Sequence, residues 1–127
     1  MPAYGAAGSV VTALYSGDSA LAFNAEQPAT GVASIPFALY RSRNDVPPSL
    51  SVEVFFAAAP GAFEFDVQEA DTETANAYVT NASATLTAVN AGFYGRIELP
   101  QVFAKFVRIL CKTQNANAVN ATVKVSR

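Results

Sequence analysis

Glu64 and Asp66 come closest in this sequence to a catalytic pair of carboxylates. Two positions apart in an alternating segment, they fall on the same face of a strand, roughly 7 Å from each other by strand rise. That separation suits an inverting glycosidase, which needs room for a water molecule between its acid and its base. A half-buried strand, however, turns alternating acids to solvent in any case, and sugar sites usually add tryptophan, which this chain lacks. A second acidic group, Asp66, Glu69, Asp71 and Glu73, offers the oxygen atoms that calcium takes, but its spacing fits no EF-hand loop and reads as a solvated loop.

Missing residue types remove most other chemistries. The chain has no histidine, so the commonest general base, the commonest zinc ligand and the base of Ser and Cys triads are all absent. No Gly-x-x-x-x-Gly-Lys and no Gly-x-Gly-x-x-Gly cradle for phosphates occurs. No catalytic residue, cofactor or metal site is therefore assigned, and the chain reads as a non-enzyme. The single cysteine, Cys111, lies in the apolar run Val107-Arg108-Ile109-Leu110-Cys111 and reads as a small, inert, buried hydrophobe. The Asn-x-Ser/Thr sequons at Asn81 and Asn120 read as turn residues.

Charge excludes a polyanionic partner. The net charge is −2, and the basic residues are scattered except for Arg41 and Arg43, which like-facing strand positions explain. Nucleic acid is thus not expected, nor is a membrane, because no apolar stretch approaches the ~18 to 20 residues of a spanning helix. Met1 to Gly17 lacks a basic leading segment and its apolar residues are broken by glycine and serine, so it does not read as a signal peptide.

The elements that would position these residues are strands. Leu50, Val52, Val54 and Phe56 alternate with Ser51, Glu53 and Phe55, a period of two that no amphipathic helix produces. Past the Pro60-Gly61 turn, Phe63, Phe65 and Val67 alternate with Glu64, Asp66 and Gln68, and the two runs read as an antiparallel hairpin. Ile35, Phe37 and Leu39 alternate around Pro36, whose missing donor suits an edge strand. Further β-like pieces lie at Val10 to Tyr15, Ala20 to Phe23, Tyr78 to Thr80, Ala84 to Val89, Phe93 to Leu99, Lys105 to Lys112 and Val119 to Val125, with one short helical turn near Thr72 to Ala77. Eight to nine short strands at intervals of roughly 10 residues predict an all-β antiparallel sandwich; periodicity alone does not separate a jelly-roll-like from an immunoglobulin-like strand order, and the strand number favours the jelly-roll-like one. Residues 1–17 read as an extended N-terminal arm and residues 18–127 as a single β-sandwich domain.

Hydrophobic residues make up 51% of the 127 and charged residues only 14%, so polar surface is the scarce resource and association is the natural way to cover an apolar skin. Phe55 and Tyr94 sit on the outward phase of strands whose inner phase is already filled by Val52, Val54, Phe56, Ile97 and Leu99. Phe106 and Leu110 share an outward phase with Arg108 and Lys112. These four residues, Phe55, Tyr94, Phe106 and Leu110, are the expected protein interface.

The second half of the chain, through Ser51-Val52-Glu53-Val54-Phe55-Phe56, Gly61 to Gln68, Gly95-Arg96-Ile97-Glu98-Leu99-Pro100 and Phe106-Val107-Arg108-Ile109, resembles small virion proteins of tailed bacteriophages. The likeness is one of layout over residues 30–127, short, all-β, rich in alanine and asparagine and poor in cysteine. It implies a capsid decoration or cement subunit with a jelly-roll-like fold. Such a subunit is made in the host cytoplasm, sits on the capsid exterior, contacts the major capsid protein and forms a dimer or trimer. Two other readings stay open: a tail, neck or fibre-associated protein of the same particle, and a carbohydrate-binding β-sandwich module.

Overall fold

The computed structural model describes residues 11–40 and 47–127. Among the described residues, nine strands run in chain order as β1 (Thr12–Ala13), β2 (Ser19–Glu26), β3 (Phe37–Ala38), β4 (Leu50–Phe56), β5 (Glu64–Ala70), β6 (Val79–Leu86), β7 (Tyr94–Leu99), β8 (Phe106–Thr113) and β9 (Ala121–Ser126). The helical turn expected near Thr72 to Ala77 is a single 3-10 turn, Ala75–Ala77.

Two sheets form, ordered β1-β3-β8-β5-β6 and β2-β9-β4-β7. The antiparallel partnerships β2 with β9, β3 with β8, β4 with β7 and β5 with β6 are nested, so the chain is one long hairpin folded over on itself. Pairing of β4 with β9 and of β5 with β8 then completes each sheet. This order is a jelly roll with β1 added beside β3 in parallel, and it decides against an immunoglobulin-like arrangement.

Alternation in the sequence becomes the core. Val52, Val54, Val123 and Val125 of one sheet face Phe65, Val67, Val107 and Ile109 of the other, all buried. At one end four phenylalanines close the interior: Phe56 and Phe63 lie 4.8 Å apart between ring centroids, and Phe65 lies within 5.9 Å of both Phe63 and Phe23.

Three expectations need correction. β4 and β5 are not a hairpin: β4 pairs with β7 and β9 in one sheet, and β5 pairs with β6 and β8 in the other. The segment between them crosses the sandwich because Phe56 and Phe63 both turn inward and pack there, their rings tilted 58° to each other. The segment around Pro36 is not a half-buried edge strand. Its ladder is only Phe37–Ala38, both faces are covered, and β1 lies outside it, with the Pro36 carbonyl accepting the Thr12 amide at 3.0 Å. Proline tolerates that place because its carbonyl, not its absent N–H, faces the neighbour. Third, Asn81 is not in a turn but inside β6; Asn120 does sit just before β9.

Residues 1–10 of the expected arm lie outside the described residues, as do Arg41 and Arg43. The rest of the arm is held in the sandwich: Leu14 is a core residue, its amide donates to the Ala38 carbonyl, and the Arg127 guanidinium donates to the Leu14 carbonyl.

Candidate protein-binding surface

The polar residues singled out in the sequence form a hydrogen-bonded outer face on the first sheet. Asp66 is only 3% exposed, not the solvent-facing acid that its alternation suggested. It accepts hydrogen bonds from Thr85 at 2.9 Å and Thr80 at 3.5 Å, while Glu64 pairs with Lys112 at 3.2 Å. Gln68 links Arg108, whose Nε donates at 2.8 Å, to Thr80, and the Arg108 guanidinium lies 4.2 Å from the centre of the Tyr78 ring. Burial, with Glu73 nearby, pushes the Tyr78 hydroxyl pKa up to about 12 against the opposing pull of Arg108. The four acids do not converge as a set, since Asp66 points outward and Glu69, opposite Val107, takes the inner phase, where it shares a groove with Asp71. Among the described residues no three His, Cys, Asp or Glu side chains are grouped to hold a metal ion. Nor, among the described residues, is any helix long and apolar enough to cross a membrane.

The four expected interface residues divide into two pairs on opposite sides of the molecule. Phe55 and Tyr94 are cross-strand neighbours on the outer face of β4 and β7, with ring centroids 4.9 Å apart. The Tyr94 hydroxyl donates to Glu53 at 2.6 Å, and that bond holds its pKa above the usual tyrosine value. Around them Glu53 also faces Lys124 at 3.8 Å, and Arg96 binds Glu98 and Ser51, so the charges of this face are paired within the sheet. Phe106 and Leu110 lie half-buried on the outer face of β8, flanking Arg108.

A third surface was not marked by the sequence. The large apolar side chains most exposed among the described residues are Phe103 (66%), Val79 (65%), Tyr15 (55%) and Tyr40 (54%). All four lie at one end of the sandwich, where β1, β3, β5 and β7 finish and β6 and β8 begin. Tyr15 and Tyr40 pack with ring centroids 5.8 Å apart, and the Arg127 guanidinium donates to the Tyr40 carbonyl beside them. Val79 and Phe103 line a common groove with Glu69 and Asp71. The Leu39 amide donates to the Lys105 carbonyl at 2.8 Å, tying the tyrosine side of this end to the Phe103 side. Val79 pairs with Glu69 and so carries the inner phase of β6, yet it is open to solvent because the opposing sheet does not reach over it.

No protein-family sequence model matches the chain, and no curated protein is significantly similar to it.

Proposed function

We propose that this chain is a non-enzymatic structural subunit of a virion, a decoration or cement protein. In this reading it binds the outer face of a phage head and stabilises contacts between major capsid proteins. The observation that carries the protein-binding part is the gathering of Tyr15, Tyr40, Val79 and Phe103 at one end of a rigid sandwich. Contiguous exposed apolar side chains are unfavourable on a free surface and characteristic of one that is covered by a partner. Aromatic residues are also the types most enriched in the buried centre of interfaces. The composition and the layout of the second half of the chain support the placement on a particle, and a dimer or trimer is the expected working form.

The test is sedimentation of the purified protein with heads that lack it, followed by imaging of the pellet. Co-sedimentation at fixed stoichiometry with new density on the outer shell supports the proposal. Failure to bind, with the protein found at the tail vertex of intact particles, moves it to a tail, neck or fibre-associated role.

One observation favours a second reading, a carbohydrate-binding module. The exposed Phe55 ring lies beside Tyr94 on a sheet face that also carries Arg96, Glu53 and Ser51, the mixture of rings and planar polar groups that sugars contact. Glycan-array binding that disappears in Phe55→Ala supports it, and a silent array removes it.

A further inference from the structure

At the exposed end lies a groove of about 320 Å³ walled by Val79, Phe103 and alanine methyl groups and rimmed by Glu69 and Asp71. The ion pairs among the described residues, Arg96 with Glu98, Lys112 with Glu64 and Lys124 with Glu53, leave both of these carboxylates out. Glu69 accepts one hydrogen bond, from Asn81 Nδ2 at 3.1 Å, which leaves its other carboxylate lone pairs available and fixes its direction. The groove therefore combines apolar walls, an exposed aromatic ring and two negative charges without a positive one.

From this geometry we infer that the groove is a binding subsite for an arginine side chain presented by a partner protein. An arginine matches each part of it. The three-carbon stem covers the alanine and valine walls, the guanidinium plane lies against the Phe103 ring, and its fork of donors meets the Glu69 and Asp71 carboxylates. A neutral apolar side chain would leave two carboxylates facing it without compensation, and an acidic one would be repelled. The inference deepens the protein-binding reading by naming the partner chemistry that this end selects.

The test uses the intact chain, isotope-labelled for amide NMR, titrated at low salt with the peptide Ac-Leu-Arg-Leu-NH2 and with its citrulline counterpart, which keeps the shape and loses the charge. The expected result is saturable shifts confined to residues 69–71, 77–79 and 103–104, with the citrulline peptide at least about tenfold weaker. The double substitution Glu69→Gln and Asp71→Asn should weaken arginine binding by about the same factor while leaving the rest of the spectrum unchanged. Phe103→Ala, at an exposed connection, provides an independent variant and should weaken binding several-fold. Shifts scattered over other faces, equal response to citrulline, or unchanged affinity in the variants would overturn the inference. Its failure is distinguishable from failure of the virion reading, because the titration reports on the groove alone and sedimentation with heads reports on location.

Discussion

Cys111 turns its thiol into the core, with Sγ 3.4 Å from the Pro28 carbonyl, and burial pushes its pKa up. Thiol reagents act on the thiolate, so a maleimide should label the native protein negligibly and label it stoichiometrically in denaturant, as mass spectrometry would show. Tyr78 gives a pH-dependent counterpart. Its folded-state pKa, about 12, lies above the ordinary value of 10.0, so the folded state holds the phenolic proton more tightly than the unfolded chain does. The stabilisation is complete below pH 10.0, and it is lost as pH rises from there through about 12. Urea unfolding should therefore show a steeper loss of stability over that window in the wild type than in Tyr78→Phe, which keeps the ring over Arg108 and removes the titration. The inner place of Cys111 was legible from the alternation of its strand. The burial of Asp66 was not, because a period of two assigns a face but does not reveal that Thr80 and Thr85 on a neighbouring strand will partner what lies there.

At the scale of elements, close approach between β7 and the chain leaving β6 depends on Gly95. A Cβ there would sit 2.8 Å from the Ala88 carbonyl oxygen and 3.3 Å from the Val54 side chain. The clash is with backbone, so Gly95→Ala should cost about 1–3 kcal/mol, read as a lower denaturation midpoint at unchanged slope. In the interior, Phe37 has no exposed surface, and Phe37→Ala should lower stability by about 3–5 kcal/mol. The strands with strict alternation, β4, β8 and β9, were legible because a half-buried strand writes its two faces into the sequence. Pairing was less legible. Phe56 and Phe63 flank a segment that looks like a hairpin turn, and only their contact across the core reveals that the chain changes sheets there. Around Pro36 the pattern broke down because both faces of β3 are covered, so inward and outward residues no longer differ in polarity.

For the whole molecule, the nested order of strands sets the candidate surface. Folding one long hairpin over on itself brings residues as distant in sequence as Tyr15, Tyr40, Val79 and Phe103 to one end, and none of them belongs to a run whose alternation marks it as exposed. Val79 is the clearest case: its phase points into the sandwich, and its exposure follows from where the facing sheet stops, a tertiary fact with no local signature. The pairs marked by alternation, Phe55 with Tyr94 and Phe106 with Leu110, are real features of the two outer faces, but they lie on opposite sides and do not form one patch. Whether the exposed end is the binding surface is decided by co-sedimentation with subunit-free heads of three proteins compared side by side. These are the wild type, the end variant Tyr15→Ser/Tyr40→Ser/Val79→Ser/Phe103→Ser, and the sheet-face variant Phe55→Ser, each shown to be folded by amide NMR. Binding through the exposed end predicts that wild type and the sheet-face variant bind alike and that the end variant loses at least about tenfold in affinity. Equal binding by the end variant, or loss only in the sheet-face variant, would contradict it.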